Sequence, residues 1–335
     1  MSEQLVEVSR GDIVECIHRG DIAITNASGQ LLASVGDPQK ITYFRSAAKP
    51  LQALNVFLSG AHEKYRFSAA EIAVICSSHY AEPFHLEAVS AILEKAGLSE
   101  QHVLGGVVTS LNPQYALQLA KENVTLTPLF SDCSGKHAGM LATCVHNNYD
   151  LKSYLLADHP VQKEILGIIA EMCGIKAAEI AIGIDGCSAP VHALPLANMA
   201  IGFARLANHN YAPQPYRVAA ETIFCAMNER PEMVSGTGGF CTELIRKTNG
   251  KLVGKIGAEG VYCMGIKDQD IGIAIKVESG NMAMLPPIAV AVLEQLDLLS
   301  EQELTQLAPY RRVDNLNDLN TVVGHICPAF SLKKT

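Results

Sequence analysis

Ser46 and Lys49, inside Tyr43-Phe44-Arg45-Ser46-Ala47-Ala48-Lys49-Pro50, are three residues apart. On a helix that spacing puts two side chains on one face, within reach of each other. A serine hydroxyl is a poor nucleophile at neutral pH and needs a base, which a partly desolvated lysine supplies. Ser46 and Lys49 are therefore a candidate nucleophile–base pair for acyl transfer. A second pair is proposed across the chain: Ser78, in Cys76-Ser77-Ser78-His79, with Lys255, in Gly254-Lys255-Ile256-Gly257. The spacing alone decides little, because Ser331 and Lys334 repeat it in a polar tail where no chemistry is expected.

Three further segments join glycines to reactive side chains. Asp132-Cys133-Ser134-Gly135-Lys136-His137-Ala138-Gly139-Met140 places Cys133 just before an expected helix, where the helix dipole favours a thiolate. Ile184-Asp185-Gly186-Cys187-Ser188-Ala189-Pro190 reads as a sharp turn after an apolar strand. Together they offer Cys133, Cys187, Asp185 and His137, enough for zinc by ligand type, although the spacing fits no zinc-finger framework. Ligand chemistry alone ranks His137 above Lys136, since neutralising a lysine near pH 7 costs about 4–5 kcal/mol. In Gly254-Lys255-Ile256-Gly257-Ala258-Glu259-Gly260, glycines beside a strand lysine let a substrate approach the backbone closely. Ser235-Gly236-Thr237-Gly238-Gly239 lacks the Lys-Ser/Thr ending of a phosphate loop and reads as a plain turn.

The elements that must carry these residues follow from pattern. β-Branched runs at Val6–Val8, Ile13–Ile17 and Ile22–Thr25, punctuated by Gly20-Asp21 and Asn26–Gly29, predict strands, with another at Ile41–Phe44. A helix is expected from Ser46, with Pro50 tolerated in its first turn. Ser68-Ala69-Ala70-Glu71 and Ser300-Glu301-Gln302-Glu303 are capping boxes that start helices. Further helices are expected at 85–96, 135–147, 160–173, 195–207, 214–228 and 286–298. Strands return at Thr242–Ile245, Leu252–Ile256, Gly260–Cys263 and Ile271–Lys276. Strict βαβ alternation is absent. The expected fold is α+β: an antiparallel sheet from both chain ends, packed with helices, with a helical region between. As one catalytic unit over 1–335, its sheet part takes 1–60 and 235–335 and its mainly helical part 61–234.

Composition narrows the function. The chain has 335 residues, 48% of them hydrophobic and 18% charged, a globular balance. A net charge of −8 without a basic stripe argues against nucleic acid. The longest greasy stretch, Met282–Leu293, is too short for a membrane span. Ten scattered cysteines and a polar N-terminus point to free thiols in a reducing cytoplasm.

These motifs together resemble the Rhizobium etli-type (class 3) L-asparaginases of the asparaginase II family. The resemblance rests on Tyr43–Ala53, Cys76–His79, Asp132–Met140, Asp185–Cys187 and Lys255–Gly260, in order, and spans about residues 5 to 330. It implies a fold similar to serine β-lactamases and serine-type glutaminases. It also implies two Ser–Lys pairs, Ser46 with Lys49 and Ser78 with Lys255, and a substrate pocket lined by Asp185 and His137 beside Arg45. One Zn2+ would be held by Cys133, Lys136 and Cys187, with a water completing the shell. The resemblance favours Lys136 where ligand chemistry favoured His137. The activity implied is hydrolysis of L-asparagine by a cytoplasmic homodimer. A glutaminase or another amidohydrolase of that fold is the near alternative, and a non-catalytic zinc or thiol sensor the distant one. The sequence departs from the pattern at Ala81, where the family carries glycine.

Overall fold

In a computed structural model, which describes residues 1–335, nine strands form one antiparallel sheet. Strands β1 (Glu3–Arg10), β2 (Ile13–Thr25) and β3 (Leu31–Val35) come from the start of the chain. After β4 (Ile41–Tyr43), β5 (Ala181–Ile184) and β6 (Pro190–Pro195), the sheet resumes with β7 (Leu252–Gly257), β8 (Val261–Ile266) and β9 (Ile271–Val277). It is completed by β10 (Val313–Leu316), β11 (Val322–Pro328) and β12 (Lys333–Lys334). The order is β10-β11-β1-β2-β9-β8-β7, with β3 on β2 and β12 on β3. Both chain ends thus build one sheet, as expected.

β8 is buried at every residue, so both faces of the sheet are covered there. Helices Leu196–Ala207 and Leu285–Gln295 pack on it. The first is apolar nearly all round and buried along most of its length, which suits a helix inside a core. A single cluster of 84 buried apolar residues runs from Leu5 to Leu307, joining the sheet to the helices between its halves. No helix is long and apolar enough to cross a membrane.

Three local expectations change. Gly20-Asp21 is no turn: β2 runs unbroken through it, and Asp21 is fully buried. Thr242–Ile245 is helical, within Phe240–Lys247. Cys241, Leu244 and Ile245 bury one face at helical spacing, and Glu243 pairs with Arg246 and Lys247 one turn on. The third departure lies in the middle region, where β5 and β6 join β4 in a separate small sheet, β4-β6-β5. Both capping boxes form as expected, at Ser68/Glu71 and Ser300/Glu303.

Candidate active site

Ser46 sits in a 3-10 turn, Arg45–Ala48, and Lys49 opens the short helix Lys49–Gln52 that follows. The Lys49 backbone N–H donates to Ser46 O, but the two side chains do not hydrogen-bond to each other. Lys49 is buried, and its ammonium needs acceptors. It donates to Ser77 O at 2.6 Å, Ser78 Oγ at 3.1 Å, Asp132 O at 3.2 Å and Asp132 Oδ2 at 3.4 Å. The lysine expected to serve Ser46 therefore serves the Ser78 loop. Ser46 Oγ has no hydrogen-bond partner in the protein, and Ser46 lines the cavity.

Lys255 completes the arrangement. It projects from β7, fully buried, with Nζ 2.8 Å from Ser78 Oγ. Ser78 is 4% exposed and stands between two amines. Its segment is stitched in place by three backbone bonds. Ser78 N–H donates to Val234 O at 3.1 Å, His79 N–H to Asp132 O at 3.4 Å and Tyr80 N–H to Ser235 O at 2.8 Å. His79 Nδ1 accepts the Ala81 N–H at 3.1 Å, so its other nitrogen carries the proton and donates to Ser134 Oγ at 2.8 Å. Burial holds that imidazole neutral, well below its ordinary range.

Two glycines let these parts meet. A Cβ on Gly257 would lie 2.9 Å from Phe44 O and 3.1 Å from Ala47 N, so its absence lets β7 close on the Ser46 turn. The reason is chain packing rather than access for a substrate. A Cβ on Gly135 would lie 2.1 Å from Val74 O, so the helix Ser134–Asn147 can start against the end of helix Ala69–Ile75.

The two amines differ in charge. Burial pulls Lys49 down, but the negative charge shared by the Cys133–Cys187 thiol pair, together with Asp132, outweighs it and holds the ammonium above its ordinary value. Asp132 is held below the usual carboxylate range, since Lys49 and its neighbours outweigh burial. Lys255 makes no salt bridge, and the pull of Cys241 and Asp132 does not offset burial. Burial, with repulsion from Lys49, lowers it to about 8. One amine is thus a fixed cation and the other a base that frees near neutral pH.

The thiol half lies alongside. Lys136 Nζ is 3.0 Å from Cys187 Sγ. A hydrogen bond from the Cys133 thiol draws Cys187 far down and raises Cys133 itself, with Lys136 adding to the pull. The thiolate therefore rests on Cys187, not on Cys133 as its place before the helix suggested. Burial lowers Lys136, but the two thiols outweigh it and keep the amine charged. His137 is fully buried, with Nδ1 2.7 Å from Tyr154 Oη and Nε2 without a partner. No three His, Cys, Asp or Glu side chains converge as a metal site. A cation bound here would need Lys136 beside Cys133 and Cys187. Two thiols and an amine suit a borderline-soft ion such as zinc, provided the amine gives up its proton.

These groups open on a cavity of about 450 Å³. Arg45, Ser46, Ser78, Cys133, Asp185 and Cys187 line it, while Lys49, Lys255, Lys136 and His137 stand behind that lining. Arg45 takes a left-handed backbone, φ 52°, and its Nε donates to Asp185 Oδ1 at 2.8 Å. The sequence reading passed over Asp132, Tyr80 and Ser235, which hold or line the site. Asp132 stood inside a quoted motif. The Ser235–Gly239 turn carried no signal, because its role is carried by the main chain: Ser235 O accepts the Tyr80 N–H, and Val234 O just before it accepts the Ser78 N–H.

A hydroxyl between two buried amines, opening on a cavity with a paired guanidinium and carboxylate, is equipment for hydrolytic acyl transfer. The L-asparaginase II family model matches residues 6–328, and the chain belongs to that family. A search of curated proteins finds no match. Among solved structures, Mglu in its native form in 4.3 M NaCl is similar at 14% identity and a TM-score of 0.38, over 85% of this chain and 63% of that one. The chain thus spans less than two thirds of Mglu. A beta-lactamase from Mycobacterium bovis is similar at 13% identity and a TM-score of 0.35, over 82% and 94% of the two chains. Scores this low carry no weight for function.

Proposed function

We propose that the protein hydrolyses the side-chain amide of L-asparagine to L-aspartate and ammonia. The observation that carries this reading is Ser78 Oγ held at 2.8 Å from Lys255 and 3.1 Å from Lys49, in a cavity that Ser46 with its unpaired hydroxyl also lines. Ser46 attacks the amide carbon, since it lines the cavity and no protein group occupies its oxygen. Lys49 is held as a cation and cannot take the proton directly, so it stabilises negative charge developing nearby. The Ser46 proton passes through the Ser78 hydroxyl and Lys255 to the leaving nitrogen. The C–N bond breaks, ammonia leaves, and an ester joins the acyl group to Ser46. Water then hydrolyses the ester, with Lys255 as base, and Ser46 recovers its proton. Arg45 holds the substrate α-carboxylate and Asp185 its α-ammonium, each exchanging its present partner for one of opposite charge. His137 stands behind this wall as a support for the pocket.

Cys133, Lys136 and Cys187 would hold zinc. The ion would supply a fixed positive charge that orients the amino acid and the polar network. Cytoplasmic homodimers complete the reading. It is supported by ten free cysteines and by the open edge of β2, where Ile13 is 71% and Ile17 48% exposed.

A second reading makes Ser78 the nucleophile, and its 2.8 Å bond to Lys255 favours it. Mass spectrometry of acid-quenched enzyme separates the two. The reading expects an acyl adduct in Ser78→Ala and none in Ser46→Ala; the reverse pattern transfers the ester to Ser78. Ammonia release from asparagine, glutamine and a β-lactam panel tests the substrate. Glutamine turnover equal to that of asparagine would make the protein a general amidohydrolase, and metal binding without turnover would make it a sensor.

A further inference from the structure

Ammonia is small and polar, and an enzyme that only releases ammonia has no use for an apolar wall beside the leaving nitrogen. Here such a wall exists. Val108, Leu111, Phe240, Ile256, Met282 and Pro286 all line the cavity. At about 450 Å³ its size is in the range that houses drug-sized ligands. Ile256 follows Lys255 on β7, and its N–H donates to Cys241 Sγ at 3.3 Å. That contact sets the start of helix Phe240–Lys247 against the strand bearing the proton-transferring amine. Ser78, which Lys255 contacts, lines the same cavity as Phe240 and Ile256, so the apolar side shares the space into which the departing nitrogen leaves.

Val108 and Leu111 are 44% and 49% exposed, apolar groups left in water on a cavity wall. They belong to Leu104–Leu111, a segment whose main chain bonds to no other main chain. It is pinned at its two ends, by Leu104 N–H donating to Tyr154 Oη at 3.0 Å and by Ser110 Oγ donating to Tyr80 O at 2.5 Å. Such a strap adjusts to the size of what lies under it.

We propose that the protein also hydrolyses N-substituted β-amides of aspartate, whose leaving amine carries an aryl or alkyl group seated against Phe240, Ile256, Val108 and Leu111. This rests on the amidohydrolase reading above, with the same aspartyl end bound by Arg45 and Asp185. The carbonyl carbon gains a bond to Ser46 Oγ and loses its bond to the substituted nitrogen. The serine proton goes to that nitrogen, which leaves as a neutral primary amine. Water then hydrolyses the ester to aspartate. Each methylene of the amine buried against the wall raises kcat/KM by about fourfold.

Three substrates test this on the full-length enzyme: asparagine, its N4-benzyl amide, and its N4-(2-hydroxyethyl) amide as a polar control. The expected result is kcat/KM for the benzyl amide at least equal to that for asparagine and about tenfold above that for the hydroxyethyl amide. Asparagine turnover with a slower benzyl amide overturns the proposal and leaves the asparaginase reading standing. A hydroxyethyl amide as good as the benzyl amide overturns it too, since an open mouth would then explain the tolerance. Turnover of none of the three overturns both. In Leu111→Ser, on the exposed strap, the benzyl-to-asparagine ratio of kcat/KM is expected to fall about tenfold; an unchanged ratio removes the strap from the site.

Discussion

Lys255 Nζ and Ser78 Oγ meet at 2.8 Å although 177 residues separate them along the chain. The contact unites a strand of the main sheet with a loop of the helical region. Lys49 reaches the same oxygen as a cation, so the hydroxyl has one neighbour that polarises it and another that can take its proton. The expected consequences all turn on that asymmetry or on the walls around it.

Activity should rise with pH through about 8, because Lys255 acts as a base only when neutral and burial beside Lys49 lowers it to that value. Lys255→Met should lose about 10²–10⁴ in kcat/KM. Lys255→Arg keeps the charge and cannot release it, so it should stay inactive at pH 9. A flat wild-type profile from pH 6 to pH 9 would remove Lys255 from proton transfer.

Stability should carry the same signature. Between about pH 8 and about pH 10 the unfolded chain holds the Lys255 proton and the folded chain does not. Wild-type stability should therefore rise with pH across that window relative to Lys255→Met, by about 3 kcal/mol in total. Urea unfolding of both proteins at pH 7 and pH 10 measures the difference. A gap that stays constant would mean the lysine is no more strained in the fold than in the open chain.

The Arg45–Asp185 pair should govern binding more than chemistry. Arg45→Lys replaces a planar fork by a point charge and should raise KM about tenfold with kcat within about threefold. Asp185→Asn should act in the same direction on KM. A fall in kcat alone would place Arg45 nearer the reacting carbon than its bond to Asp185 implies.

Ala81 tests how the Ser78 loop is held. Its φ of 57° lies in the left-handed region that glycine adopts without cost. Relief of that strain in Ala81→Gly is worth about 1–2 kcal/mol. Against it stand the entropy of the unfolded glycine, about 0.4–1 kcal/mol, and the buried methyl, about 0.8 kcal/mol, which packs with Leu119 and Phe130. The two sides nearly cancel, so thermal unfolding should show a change within about 1 kcal/mol. A loss above about 2 kcal/mol would show that the methyl cluster, not the backbone, sets the loop.

Much of the architecture was legible in local pattern. The β-branched runs at both ends, the capping boxes at Ser68 and Ser300 and the apolar helix Leu196–Ala207 are short-range signals, and the structure agrees with each. The helix Phe240–Lys247 was missed because eight residues give little room to tell period 3.6 from a short apolar strand. Gly20-Asp21 was read as a turn because nothing local announces that β9 and β1 both pair with that stretch of β2.

The site divides along the same line. Residue types alone marked Ser46, Lys49, Ser78, Lys255, Cys133, His137, Asp185 and Cys187 as the chemistry-bearing set, and the family resemblance set Lys136 above His137 as a metal ligand. Which of them touch was decided only by the tertiary structure. Lys49 turned from Ser46 to Ser78 because a buried ammonium must find acceptors, and Ser77 O and Asp132 supply them from a segment the helix spacing cannot see. Burial then set two chemically identical amines apart, Lys49 above its ordinary value and Lys255 at about 8, a difference that exists only once both are out of water and negative neighbours outweigh burial at one but not at the other.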